Sequence, residues 1–187
     1  MNATDSLSGH LLIAMPGMGD PRFTKSVIYL CVHNEEGAMG LVINRLVENL
    51  CFSDLLNHLR LNNLENVPDI PIHYGGPVEI GRGFVLHCTD YIRNETLTVG
   101  DNTGLTATID VLQDIAQNRG PKRFILALGY AGWGAGQLDN EIQKNSWLHV
   151  KADPNLTFGV NITNTWELAI NKIGVDPSLL SDVAGHA

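Results

Sequence analysis

A mixed sheet in an α/β or α+β arrangement is the fold class that this 187-residue chain predicts. Three observations carry the prediction. Apolar, β-branched runs of strand length alternate with segments whose apolar residues recur at helical spacing. The alternation is irregular, mixing hairpin-type loops with longer crossovers, which disfavours a regular doubly wound sheet. Composition agrees: 19 glycines and 17% charged residues favour a turn-rich sheet protein over a helical bundle. No repeat or linker divides the chain, so residues 1–187 are expected to form one domain. A chain of this size buries roughly 70% of its unfolded surface. Residues 1–8 are polar and without periodicity, and are expected to be disordered.

In chain order, His10 to Met15 reads as a strand stopped by Pro16-Gly17-Met18-Gly19-Asp20-Pro21. Ser26 to His33 is apolar at almost every position, as in a strand covered on both faces. Asn34-Glu35-Glu36-Gly37 is a hairpin-type loop, and Ala38 to Leu46 returns as the partner strand. Ser53 reads as the cap of a helix with Leu55, Leu56 and Leu59 on one face. Pro71 to Tyr74 and Arg82 to Thr89 are strands joined through Gly75-Gly76-Pro77, and Thr96 to Val99 is a short strand nearby. Thr108 caps a helix carrying Val111, Leu112, Ile115 and Ala116, which Arg119-Gly120-Pro121 ends. Phe124 to Tyr130 is the central strand, running into a glycine loop and then a helix from Leu138 to about Ser146. Trp147 to Val150 is a further strand. Thr163 or Asn164 caps a helix that turns Trp166, Ala169, Ile170 and Ile173 inward, and Asp176-Pro177 opens a terminal turn.

Charge and composition exclude several function classes. The net charge is −8, and the one local basic cluster is Arg119, Lys122 and Arg123. Phosphate-backbone binding draws on a clustered basic stripe, so direct nucleic-acid binding is disfavoured. Cys31, Cys51 and Cys88 are widely spaced and odd in number, as expected of small hydrophobes in a reducing compartment. No apolar run approaches the ~20 residues of a membrane span, and no signal-peptide pattern is visible. A cytoplasmic location is expected.

The most informative stretch is Leu128 to Glu141, with glycines at 129, 132, 134 and 136 around Tyr130 and Trp133. It reads as strand, glycine loop, helix: either a close-packed junction or a ligand cradle. Its spacing matches neither the dinucleotide fingerprint nor a phosphate loop. Asp139 and Glu141 in the first helical turn would repel an anion. A packing turn is therefore the leading reading, and a neutral or cationic ligand stacked on Trp133 or Tyr130 the alternative. Asp20 suits a turn former better than an acid, base or metal ligand. Arg45, after Asn44, can clamp a carboxylate, though an internal ion pair explains it more simply. Gly75-Gly76-Pro77 suits a hairpin better than an oxyanion hole. His87-Cys88 and Cys31-x-His33 match no zinc spacing, and no nucleophile, zincin or paired-carboxylate motif occurs. No catalytic residue, metal or cofactor is assigned.

Taken together, these residues resemble the AlgH/YqgE family of bacterial proteins. The matching pieces are Leu12-Ile13-Ala14-Met15-Pro16 with Asp20 and Phe23, then Gly37 through Arg45, Gly75-Gly76-Pro77, Gly83 through His87, and Leu128 through Glu141. Trp147, Trp166 and the terminal Gly185-His186-Ala187 also fit. Two positions depart: Leu46 stands where the family often has proline, and Asp139 where it often has glutamate. The resemblance implies a branched mixed sheet, part of it closed into a small barrel, flanked by helices. It implies little about function. The family is similar to a set of uncharacterised cytoplasmic proteins, some linked to exopolysaccharide regulation and labelled transcriptional regulators. It brings no established catalytic residues.

Two functions remain in competition. The leading expectation is a regulatory or interaction domain without chemistry of its own, acting on transcription, if at all, through an unidentified protein partner or small ligand. The alternative is a small-molecule-binding protein or enzyme, with Asp20, Asn44, Arg45, His87, Trp133, Gln137 and Glu141 around a pocket near the glycine loop. Direct DNA binding ranks last.

Overall fold

The computed structural model describes residues 6–61, 64–159 and 161–180. Among them nine strands form one curled, half-barrel sheet flanked by helices, an α+β architecture. In chain order the strands are β1 (His10–Ala14), β2 (Val27–Asn34), β3 (Gly37–Val42), β4 (Ile72–Tyr74), β5 (Val78–Cys88), β6 (Leu97–Val99), β7 (Thr103–Thr106), β8 (Phe124–Gly134) and β9 (Trp147–Lys151). The helices are α1 (Phe52–His58), α2 (Ile109–Ala116), α3 (Gln137–Gln143), α4 (Pro154–Thr157) and α5 (Thr165–Lys172). The sheet order is β6-β7-β5-β8-β3-β2-β1-β9, and β4 branches off by pairing with β8. All ladders are antiparallel except β4 with β8.

Period-two alternation sends each central strand's side chains to two separate cores. Leu11 and Ile13, Tyr29 and Cys31, Phe84 and Leu86, and Ile125 and Ala127 line the inner face, where α5 adds Trp166, Ala169 and Ile170. Leu12, Ala14, Ile28, Leu30, Ala131 and Trp133 point outward and are covered by Leu138 of α3, Phe23 and Trp147. Further along, Val85 and Leu126 are covered by α1 and α2. The curl brings distant strands together. A Cβ on Gly9, before β1, would sit 3.4 Å from Gly100 Cα, in the β6–β7 turn. Lys151 at the end of β9 pairs with Asp101 at 3.1 Å in the same turn.

The glycine stretch is strand, not loop. β8 continues through Gly134, pairing Ala131, Gly132, Trp133 and Gly134 with Gly40, Met39, Ala38 and Gly37. Ala131 and Trp133 are buried while Gly132 and Gly134 are exposed, which is half-buried strand alternation written in the smallest residues. The turn into α3 is only Ala135-Gly136, with Gly136 at φ +68°. Gly75-Gly76-Pro77 is likewise no hairpin, because β4 and β5 pair with β8 on its opposite edges. The segment must therefore pass over β8, backbone against backbone. A Cβ at Gly76 would lie 2.1 Å from Tyr130 C, and one at Gly129 would lie 2.4 Å from Gly76 O. Only glycine permits that approach.

Other elements shift for local reasons. β3 ends at Val42 because the Asn44 side chain takes over the ladder, accepting from Val27 N and donating to Lys25 O, both at 2.8 Å. The cap of α1 is Cys51 rather than Ser53, since Asp54 in the first turn reaches back to Cys51 N. β7 was unforeseen, as was α4, opened by Asp153-Pro154 in the manner foreseen for Asp176-Pro177. The α2 and α5 caps, Thr108 and Asn164, fall where the spacing places them. Near the start, Ser6 Oγ donates to His33 O at 2.9 Å and Leu7 N to His33 Nδ1 at 3.1 Å. Residues 1–5 and the terminal Gly185-His186-Ala187 lie outside the described residues.

Candidate functional site

β8 and α3 build the first part of the site. The short turn at Gly136 folds α3 back so that Glu141 faces the outer side of β8. Its Oε2 accepts from Trp133 Nε1 at 2.9 Å and Trp147 Nε1 at 2.8 Å. Its Oε1 accepts from Gln137 Nε2 at 2.9 Å, and Gln137 Oε1 accepts from Gly134 N at 3.0 Å. One carboxylate thus staples two indoles, which meet edge-to-face with centroids 5.9 Å apart, while Phe23 packs edge-on against Trp147 at 5.7 Å. Beside this aromatic wall lies a cleft of about 300 Å³ that also takes in Met18, Asp20 and Pro77.

The cleft gathers Asp20, Trp133, Gln137 and Glu141 but leaves out the other sequence candidates. Asp20 caps the turn Pro21–Phe23, accepting from Arg22 N and from the Arg22 guanidinium at 2.7–3.1 Å. The Arg22 hydrogen bonds hold its carboxyl below the usual range. Asn44 and Arg45 brace the same loop from behind. Arg45 donates to the carbonyls of Arg22 and Thr24, so it clamps backbone rather than a carboxylate or an ion-pair partner. His87 lies elsewhere, fully buried between β5 and β7. Its Nδ1 bonds Cys88 O at 2.9 Å and its Nε2 bonds Thr106 Oγ1 at 2.8 Å. Burial pushes its pKa down, consistent with a neutral ring that donates to the carbonyl and accepts from the hydroxyl. Among the described residues no three His, Cys, Asp or Glu side chains form a metal-binding group.

The larger concavity was not foreseen. At the mouth of the half-barrel, away from α5, the inner face is left open as a hollow of about 700 Å³. Val32, Met39, Phe84, Leu97, Leu105 and Tyr130 give it an apolar floor, with Phe84 and Tyr130 edge-to-face at 5.9 Å. Glu36, Arg82 and Glu95 stand on its rim. Arg82 pairs with Glu79 at 3.3 Å and lies 5.1 Å from the Phe84 ring centroid. Hollow and cleft share Val78, Gly132 and Trp133, so they open on the two faces of one stretch of β8. Tyr130 and Trp133, which the sequence offers as stacking aromatics, both line the hollow. Leu97, 47% exposed, reads from sequence as an ordinary strand residue.

Comparison with known proteins places this architecture. The AlgH-like family model (DUF179) matches residues 11–178. A UPF0301 protein of Rhodospirillum rubrum is 54% identical over 181 residues, covering 97% of this chain and 94% of that protein. A UPF0301 protein of Jannaschia is 49% identical over 186 residues, covering 98% and 97%. The solution structure of the AlgH protein from Pseudomonas aeruginosa superposes with TM-score 0.79 at 42% identity, covering 100% of this chain and 99% of that one. The crystal structure of DIP2367 from Corynebacterium diphtheriae, at 19% identity and TM-score 0.72 over 92% and 90%, shares the fold. A family model spanning nearly all of the sheet, close relatives of matching length and a common architecture agree: the chain belongs to the AlgH-like family.

Proposed function

We propose that this chain is a non-catalytic regulatory or interaction domain of the cytoplasm whose working face is the apolar hollow. Any effect on transcription passes through a protein partner or small ligand. The observation that carries the reading is a division of labour among side chains. Asp20, Arg45, His87, Gln137 and Glu141 spend their hydrogen bonds inside the protein, whereas the hollow presents apolar surface outward. Exposed apolar concavities ringed by polar groups mark interaction sites. A net charge of −8 opposes direct contact with DNA. The hollow's volume also falls within the range of small-molecule pockets, which keeps a compact apolar ligand as the second reading.

The test is site-specific photocrosslinking in cells, with a benzophenone amino acid at Leu97 in the hollow or at Lys144 just after α3. The expected result is a discrete adduct from position 97 and none from 144. Equal, diffuse labelling from both, or tight salt-dependent binding of the purified protein to a promoter fragment, overturns the proposal.

A further inference from the structure

The open edge of β8 between the two cavities says what kind of partner the hollow fits. Gly134 N donates to the Gln137 side chain at 3.0 Å, so its peptide does not face β3. Backbone groups alternate along an antiparallel strand, so Ala131 and Trp133 bond to β3, and the N–H and C=O of Gly132 point to the opposite edge. On that edge β5 covers β8 only as far as the Val78–Tyr130 pair, and Gly132 is exposed. A strand laid here alternates its side chains between the two faces of the sheet. The residue opposite Gly132 enters the hollow over Tyr130 and Phe84, and its neighbours enter the cleft against Pro77, Phe23 and Trp133.

Charge selects among such strands. Glu36 and Glu95 on the hollow's rim take part in none of the ion pairs among the described residues, whereas the rim's Arg82 is matched by Glu79. Within the cleft stand Asp20, already paired with Arg22, and Glu141, already bonded to Trp133, Trp147 and Gln137. The rim is therefore net acidic, within a chain of net charge −8. We propose that this edge receives a short extended segment of a partner protein, apolar at alternate positions and flanked by lysine or arginine, by strand addition at Gly132. The inference rests on the reading of the hollow as the working face and adds the chemistry and geometry of its occupant.

The experiment pans a random nonapeptide display library against the whole protein, then measures fluorescein-labelled winners by fluorescence polarisation. Winners are expected to carry apolar residues two apart with basic flanks. The double substitution Glu36→Gln/Glu95→Gln should weaken them about tenfold, through lost charge complementarity. Gly132→Val, which puts a branched side chain against the Tyr130 ring (a Cβ there lies 3.3 Å from it), should abolish binding. Because that variant can also perturb the fold, amide hydrogen exchange of unsubstituted protein supplies a second measurement: bound peptide should slow exchange at Gly132. Winners with acidic or neutral flanks, or no protection at Gly132, overturn the inference. If such winners still lose binding on Leu97→Asp, the hollow remains the working face and only the strand-addition model falls. If Leu97→Asp has no effect, or the library yields no winner, both fall.

Discussion

Replacing Glu141 by alanine tests whether one carboxylate holds the aromatic wall together. The substitution strands three donors: Trp133 Nε1, Trp147 Nε1 and Gln137 Nε2. Trp147 is 2% exposed and Trp133 7%, so water replaces the lost acceptor poorly. Hydrogen bonds to a charged acceptor contribute about 1.5–3 kcal/mol each, and buried donors left unpaired cost about 1–3 kcal/mol. The three share one carboxylate and do not add, and Glu141 is itself only partly buried, so the expected loss is about 3 kcal/mol. For a chain of this length that is a fall in Tm of about 6–12 °C. Glu141→Gln keeps one oxygen for the indoles but turns a donor toward Gln137, and should fall between wild type and alanine. Thermal unfolding followed by near-ultraviolet circular dichroism and tryptophan emission reads both variants. A Glu141→Ala protein melting within about 2 °C of wild type, its emission unshifted, would refute the staple.

Other outcomes follow from the same geometry. Gly76→Ala, whose Cβ would overlap Tyr130 C, should fail to give soluble folded protein, while Gly17→Ala, with open space around it, should match wild type by circular dichroism. His73 is 6% exposed, and burial pushes its pKa down to about 4 from 6.5. Between those values the unfolded chain takes up a proton that the folded one refuses. Stability is therefore whole above pH 6.5 and declines toward pH 4 by up to about 3 kcal/mol, a slope that urea titrations should find flattened in His73→Leu. Arg45→Ala, freeing the carbonyls of Arg22 and Thr24, should cost about 1–2 kcal/mol and speed amide exchange at Phe23 and Ser26; unchanged exchange there would count against the clamp.

What the sequence revealed, and what it hid, divides along physical lines. Strands covered on both faces, such as Val27–Asn34, and helices with a clear apolar stripe, such as Ile109–Ala116, announce themselves because burial dictates their composition. The extension of β8 did not, because glycine carries no side chain to display period two. In Gly132-Trp133-Gly134 only Trp133 carries a side chain, buried between two exposed glycines. The crossing at Gly75-Gly76 looked like a hairpin because both demand glycine, and only the pairing partner tells them apart. β7, Thr103–Thr106, is too short and polar to stand out from a loop. Asp20, Trp133, Gln137 and Glu141 line one cleft, whereas Asn44, Arg45 and His87 do not, and sequence spacing carries no sign of that division. The hollow escaped notice because it is made of ordinary strand residues that the curl of the sheet leaves uncovered.

The sheet order carries a consequence for biosynthesis. β1, translated before the other described strands, finds its outer neighbour only when β9, beginning at Trp147, has been translated, and the tip of β3 waits for residues 131–134 of β8. Until then the amino-terminal hairpin β2–β3 has one bare flank, and its apolar residues lack half their cover. Completion of the sheet is thereby deferred until residues 147–151 emerge, and the nascent chain should depend until then on chaperones that shield strand flanks.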